Sequence, residues 1–398
     1  MCNKALNAPC PRVLLVTGAY HPEISAAGVQ CRVVAAALRG RAAFSVLTTA
    51  VNPALAPVDT IDEVTVRRVI VDVESRFSKA MASVRLVRQV LRASGACDIL
   101  HLHGFSQKNV PVSVLARLLG KPLVLTLHTA GQDEPQVIRR RGPLAYWAFK
   151  AADLVLCVSP ALSARCLEAN LPQHRVRLTP NGVDTTRFRP AGREERRALR
   201  RALGWPEQQP VVLFVGFFSR DKRPDLLFNA WRRLRDAGVR CRLVFVGAKG
   251  SGYYEIDQTI AAWIRRQAAD LQLADEVLCI EPTHDVEQYF RAADVFVLPS
   301  IREAHPLALL EAMACGLPAV ATRLAGATDV LIQDGWNGRL FPADDEAVLA
   351  DILRDMLTDD AAASLMGARA RETVMAHYDI RHTAEAWLSA YHAVADQR

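Results

Sequence analysis

Long apolar runs are missing from this 398-residue chain. No stretch approaches the ~18 consecutive apolar residues of a helix that crosses a membrane, which argues against a helical span. Residues 1–12 are polar and contain Pro9 and Pro11, and the first apolar run, Val13–Val16, is far shorter than the core of a secretory signal. The expectation is therefore a soluble, cytoplasmic protein. No C-x-x-C occurs among the nine cysteines, and no two aspartates stand two apart in a D-x-D pattern. Thiol pairs of zinc-site or redox spacing and the usual paired-aspartate metal site are thus absent. The cysteines are odd in number and irregularly placed, and Cys157, Cys241 and Cys279 sit in or beside apolar runs. They read as buried free thiols of a reducing compartment. Internal repeats and low-complexity tracts are also missing, which argues against solenoids and disordered tails.

What is present is the balance of an ordinary globular protein, 51% hydrophobic and 23% charged. The length suits two domains. Net charge is +7, divided unevenly: residues 1–190 carry +12 and the remainder −5. The two halves therefore present different surfaces to partners. An anionic lipid or acceptor facing the basic half and a plainly solvated Arg-rich face both account for this. Residues 193–201 (REERRALRR) lack an apolar stripe and read as a solvated surface helix, not as a nucleic-acid contact.

Short β-branched runs alternate with helical patterns along the whole chain. Strands are expected at Val13–Thr17, Ser45–Thr48, Val64–Val71, Ile99–His103, Leu123–Leu127 and Leu154–Ser159. A second series falls at Val211–Phe217, Arg242–Gly247, Glu276–Ile280, Val295–Pro299, Ala319–Thr322 and Gly338–Phe341. Helices over 28–39, 110–119, 225–237, 256–269, 286–292, 307–314 and 346–357 lie between them. Alternation of this kind predicts an α/β protein with parallel sheets covered on both faces, here two doubly wound domains. The boundary is placed near Pro190, giving domains over 1–188 and 189–372, with 373–398 packing back on the first as a final helix. Ala384, Trp387, Leu388 and Tyr391 form its apolar side.

The strongest signal runs from Asp294 to Thr322, DVFVLPSIREAHPLALLEAMACGLPAVAT. A strand enters a loop, Pro306 opens a helix, and Gly316 followed by Pro318 closes it. The helix amino end offers unpaired N–H groups at Leu307 and Ala308 and a partial positive charge, a suitable seat for a diphosphate. Glu303 precedes the helix. Glu311, deeper along it and flanked by apolar residues, suits the vicinal hydroxyls of a ribose better than a phosphate.

Glu303 to Glu311 spells E-x7-E, followed by AMACGLP. With GVQCRVVAAAL (28–38), DILHLHG (98–104), KPLVLTLHT (121–129), TPNGVDTTRFRP (179–190), FVGFFSRDKRPDLLFNAW (214–231), AADVFVLPS (292–300) and DGWNGRLFP (334–342), the chain resembles the retaining GT-B glycosyltransferases of the E-x7-E type, group 1 and family 4-like. The resemblance implies a GT-B fold, two Rossmann-like domains facing across a cleft. It implies that Glu303 contacts the donor sugar, Glu311 the ribose, and Lys222 the diphosphate. Two departures stand out. Ala304 and His305 replace the family's glycine and aromatic, and Phe217 stands where an arginine is usual. Arg220, or the nearby Arg223, is the candidate replacement for that guanidinium, with exposed surface charge as the alternative.

In the first half, Gly18 and Gly28 bracket the loop after the first strand; Gly28 is read as a donor-binding backbone position and Gln30 as an acceptor contact. By resemblance His128 hydrogen-bonds the donor sugar. His101 and His103 share a strand face, but with no third ligand they read as polar strand-end residues and not as a metal site. Residues 76–92 carry a helical stripe of Phe77, Met81, Val84, Val87 and Leu91 among basic residues. Docking on an anionic membrane and packing on the protein's own sheet are both open to it.

The expected activity is transfer of a hexose from a UDP- or GDP-sugar to a glycan or lipid-linked acceptor, with retention of configuration and without metal or other cofactor. Cell-surface polysaccharide or glycolipid synthesis at the inner face of the cell membrane is the expected setting. A sugar-nucleotide epimerase or hydrolase of the same architecture and an inactive donor-binding homologue are the alternatives.

Overall fold

The computed structural model describes residues 10–247 and 257–396. The start of the helix expected over 256–269, and residues 1–9 of the leader reading, lie outside these. The chain divides into two compact units, Met1–Gly182 with Ile380–Arg398, and Val183–Asp379.

The first unit contains β1 (Arg12–Thr17), α1 (Ala26–Ala37), β2 (Ala43–Ala50), β3 (Val58–Ile61), β4 (Val64–Ile70), α2 (Arg76–Ala93), β5 (Ile99–His103), α3 (Asn109–Leu118), β6 (Leu123–Leu127), α4 (Pro135–Arg140), α5 (Pro143–Lys150), β7 (Leu154–Cys157), α6 (Pro160–Glu168) and β8 (Val176–Leu178). The second contains α7 (Arg193–Ala202), β9 (Val211–Val215), α8 (Pro224–Asp236), β10 (Arg242–Val246), α9 (Gln258–Asp270), β11 (Val277–Ile280), α10 (Glu287–Ala292), β12 (Val295–Leu298), α11 (Leu307–Ala314), β13 (Ala319–Thr322), β14 (Arg339–Phe341), α12 (Glu346–Thr358) and α13 (Asp360–His377). The chain then returns to the first unit as α14 (Ile380–Ala395).

Each unit is a sheet covered by helices. The first sheet runs β3-β4-β2-β1-β5-β6-β7-β8, parallel except for the β3–β4 hairpin. The second runs β11-β10-β9-β12-β13-β14, parallel throughout. Its apolar strands serve two cores at once, because successive side chains point to opposite faces. On β9, Val211 and Leu213 join one core while Val212 and Phe214 join the other; on β12, Phe296 and Leu298 oppose Val295 and Val297. That is why these strands read as unbroken apolar runs.

Local chemistry sets the helix ends. Ser25 Oγ caps α1 by accepting from Gly28 N at 3.0 Å. Pro224 and Asp225 open α8, and Arg233 and Arg235 lie in its last turn, matching the helix dipole. Past α11, Gly316 adopts φ +68°, and Leu317 N–H returns to Ala312 O at 3.1 Å. Pro306 occupies the capping position, one residue before the helical position expected for it.

Four expectations are corrected. The first boundary moves from 188/189 to 182/183, because Val183 and Phe188 are buried in the second unit's core. The second moves from 372/373 to 379/380: residues 373–377 complete α13, and the final helix starts only at Ile380. The two crossings lie side by side, with Val183 N–H bonded to Tyr378 O at 2.9 Å. Helix α7 is not simply solvated. Arg200 is buried, donates to Ala292 O at 2.9 Å and pairs with Asp294, which Arg196 also contacts at 2.5 Å. Finally, α2 does not bury the apolar stripe read from its sequence. Ala82, Leu86 and Val90 are its buried positions, while Phe77, Val84 and Leu91 stand 76%, 59% and 48% exposed.

Helix α14 completes the first core, with Trp387 and Tyr391 among its largest fully buried side chains. Trp387→Ala is expected to destabilise the first unit by about 3–5 kcal/mol. Hydrogen exchange checks this: β1 and β5 amides should lose protection while β9 and β12 amides keep theirs.

Candidate active site

In the second unit the strands, taken in chain order, lie 3-2-1-4-5-6, so the order reverses between β9 and β12. Parallel sheets of this kind bind ligands beyond the strand carboxyl ends at that reversal. The loops leaving β9 and β12 there carry Lys222 and Glu303. Lys222 Nζ donates to Glu303 Oε1 at 2.6 Å. Ile301 N–H donates to Asp221 O at 2.8 Å, and Arg302 pairs with the Asp221 carboxylate. Three contacts between adjacent residues therefore staple one loop to the other. On the β9 side, Ser219 O accepts from the N–H groups of Lys222 and Arg223 at 3.1 and 3.2 Å, which turns the lysine toward the β12 loop.

Helix α11 begins directly after Glu303–Pro306, and no side chain caps its amino end. Leu307 and Ala308 are half-buried there. This end joins a fixed ammonium to a run of N–H donors, an arrangement suited to a polyanion. Glu311 lies further along the same helix, half-buried. Its carboxyl is pushed up to about 7, chiefly by loss of water, with Arg187 drawing it down and Glu287 pushing it up. Arg187 itself is held by Glu287, Nη2 to Oε2 at 2.7 Å.

The structure brings together Lys222, Glu303 and the Leu307–Ala308 amides. Arg220 lies two residues before Lys222 on the same loop. That guanidinium is 88% exposed and pairs with Asp257 at 3.3 Å. Arg223, in the left-handed region at φ 49°, is taken by Asp225 and Asp344. Both arginines, like Lys222, have acidic partners. Phe217 is half-buried in the same loop. His305 is buried against Tyr378, ring centroids 5.3 Å apart, and burial lowers its pKa to about 3, so it brings no charge to the site.

In the first unit the order reverses between β1 and β5. His103 ends β5, and His128 follows β6, the next strand across. The two rings meet, His103 Nδ1 to His128 Nε2 at 3.1 Å, and burial lowers the His128 pKa to about 4. Asp133 organises both loops. One carboxylate oxygen accepts from Phe105 N at 2.8 Å, the other from His128 N and Thr129 N at 2.8 and 2.9 Å.

Two residues expected to contact ligands have bonds within the first unit. Gln30 is 2% exposed, and its amide makes two bonds to Gly182: Nε2 donates to the carbonyl at 2.6 Å and Oε1 accepts from the N–H at 3.0 Å. It braces the end of the first unit's main segment. Gly28 spends its N–H on the Ser25 cap, and a Cβ there would lie 2.4 Å from Ala19 O. Loop packing alone requires a glycine here. His101, read as a strand-end polar group, is fully buried between Tyr391 Oη at 2.8 Å and Thr126 Oγ1 at 2.7 Å. Sequence reading missed Asp133, an isolated acid in a loop without periodicity. It also missed Arg187, although the matched block 179–190 contains it.

A family model described as glycosyl transferases group 1 matches residues 195–373, and one described as glycosyltransferase family 4 matches residues 21–187. D-inositol 3-phosphate glycosyltransferase from Stackebrandtia nassauensis is 32% identical over 323 residues, covering 76% of this chain and 70% of that protein. The chain belongs to the group 1 glycosyltransferases. Sucrose-phosphate synthase from Thermosynechococcus elongatus shares the fold of this glycosyltransferase with a TM-score of 0.80, 21% identity, and coverage of 98% of this chain and 100% of that one. Anabaena HepE, solved with UDP and glucose, gives 0.78 at 19% identity, covering 96% and 100%. These neighbours establish the GT-B architecture. Among the described residues of the glycosyltransferase, no helix is long and apolar enough to cross a membrane.

Glu311 has a measurable consequence for stability. Unfolded, its carboxyl loses the proton near 4.5; folded, it holds the proton to about 7. Below the first value the two states are protonated alike. Between the two values the folded state alone retains the proton, so stability declines as pH rises through this window and then levels. Glu311→Gln is expected to abolish that decline, a difference on the order of 2 kcal/mol. Urea unfolding of both proteins at pH about 5 and about 8 checks the sign.

Proposed function

We propose that this glycosyltransferase moves a sugar from a nucleotide-sugar donor to an acceptor hydroxyl, retaining the anomeric configuration and using no metal. The observation that carries the reading is the Lys222–Glu303 pair beside the uncapped start of α11, with Glu311 farther along that helix. Leu307 and Ala308 N–H groups and the Lys222 ammonium meet the donor diphosphate. Glu311 accepts from the ribose hydroxyls, and Glu303 engages the sugar once the diphosphate draws Lys222 to itself. The attack is assigned to the front face, with the leaving phosphate as the base and Glu303 as a sugar contact. The bond from the anomeric carbon to the phosphate oxygen breaks as the acceptor oxygen bonds to the same face. The departing phosphate oxygen takes the acceptor proton, and its charge is held by preorganised donors.

For the acceptor, the relatives' name, D-inositol 3-phosphate glycosyltransferase, favours a phosphorylated polyol. A second reading, a glycan or lipid-linked acceptor reached at a membrane, is favoured by α2. Its exposed Phe77, Val84 and Leu91 repeat every seven residues among Arg76, Lys79, Arg85, Arg88 and Arg92. Apolar side chains ringed by cations suit an anionic lipid surface.

A panel of UDP- and GDP-sugars, with D-inositol 3-phosphate or a membrane extract as acceptor, tests the reading. Nucleoside diphosphate should appear only when an acceptor is present, and chelation should leave the rate unchanged. Release or isomerisation with donor alone would sink the transferase assignment. Glu311→Ala should weaken nucleotide binding about 100-fold through loss of two hydrogen bonds, as calorimetry reads it. Lys222→Ala should lower kcat more than it raises the donor KM. For the membrane reading, Phe77→Asp should abolish sedimentation with phosphatidylglycerol vesicles; undiminished sedimentation removes α2 from that role.

A further inference from the structure

We propose that Lys108 is the cationic centre of an oxyanion-binding subsite at the open end of the first sheet, which takes a phosphate or carboxylate carried by the acceptor. The subsite is built from the first unit alone; its assignment to the acceptor rests on the transferase reading.

Three strand ends meet at this side chain. Lys108 lies in the loop that leaves β5, where the strand order reverses between β1 and β5. Its Nζ donates to Thr49 Oγ1, on β2, at 2.9 Å. Thr49 Oγ1 in turn donates to Gly18 O, just past β1, at 2.6 Å. That bond uses the hydroxyl proton, so the hydroxyl meets the ammonium with a lone pair and occupies one of its three N–H donors. Among the described residues no carboxylate pairs with Lys108, and Thr49 Oγ1 is the single acceptor of its ammonium. Other cations of this unit are met more fully. Arg68 pairs with Asp59, and Arg141 donates to the carbonyls of Phe105 and Gln132.

Loss of water lowers the Lys108 pKa, and no neighbouring charge counters it. A charge drawn out of water is costly unless an opposite charge answers it. A link between the β5 loop and β2 needs no charge; an amide or a hydroxyl would serve. What the ammonium adds is a positive charge and two further N–H donors, and an oxyanion answers both. Helix α3 starts at the next residue without a side-chain cap. Its Asn109 and Val110 N–H groups already reach the Ser106 and Gln107 carbonyls, and Pro111 has none. The ammonium, not the helix end, is therefore the donor. The subsite also has an opening. Lys108 is half-buried and Gly18 is exposed, and a Cβ placed on Gly18 would meet no atom within 4 Å.

NMR titration of the whole protein, carrying carbon-labelled lysine side chains and no donor, tests the subsite. Glycerol phosphate, glycerate and glycerol share a skeleton and differ in charge. Either or both anions should shift the Lys108 resonance saturably, which names the head group, and glycerol should not. By calorimetry Lys108→Met should weaken anion binding about 10- to 100-fold. Gly18→Leu, which fills the opening, should weaken it while leaving the ammonium in place. In transfer assays Lys108→Met should raise the acceptor KM by a similar factor and leave the donor KM unchanged. A Lys108 resonance unmoved by both anions overturns the inference, even if the variants do not fold. An acceptor without an anionic group, or an acceptor KM unmoved in folded Lys108→Met, overturns it too. Absence of transfer by the unsubstituted protein sinks the transferase reading and the assignment to the acceptor, and the titration alone then decides whether the subsite stands.

Discussion

A lysine and a glutamate 81 residues apart meet at 2.6 Å because β9 and β12 lie side by side while the connections leaving them run to opposite faces of one sheet. The rest of the second unit's chemistry depends on that reversal. Right-handed crossovers force the two loops to part, and the gap they leave opens beyond the strand ends. The Asp221 contacts with Ile301 and Arg302 keep the loops in register, so that the ammonium, the carboxylate and the start of α11 share one neighbourhood. A parallel sheet thus concentrates donors for an anion without any loop folding alone.

The first unit solves a related problem differently. Its strand-end loops carry neutral imidazoles and a buried carboxylate, with Arg141 bonded to the carbonyls of Phe105 and Gln132 beside it. Asp133 gathers three backbone N–H groups, and the price of burying its charge is met by those bonds, although burial still raises its pKa. The histidines are kept uncharged by the same low-dielectric surroundings. Sheets of like construction thus carry an ammonium–carboxylate pair at one set of strand ends and a pair of imidazoles at the other. The uneven distribution of Lys and Arg along the chain does not by itself reveal this, because most of those side chains form surface ion pairs or face solvent.

Several sequence readings failed for one shared reason: pattern reports which residues are apolar or charged, not which face meets the core. Helix α2 carries two apolar rows, and the row through Phe77, Val84 and Leu91 was the more conspicuous in sequence although Ala82, Leu86 and Val90 are the buried one. Helix α7 looked solvated because its inward residues are arginines, whose charge is met by Asp294 and by carbonyls from a distant loop.

The sequence alone was enough for the strand–helix alternation, the α/β class, the E-x7-E spacing and the family, because these rest on period, composition and local helix signals that act within a few residues. Tertiary structure decided where the chain crosses between units, that Lys222 rather than Arg220 reaches Glu303, that Glu311 holds its proton to about 7, and that His103 meets His128. Each of these depends on desolvation or on contacts between segments far apart in the chain. Such forces exist only once the sheets have closed, and no local pattern records them.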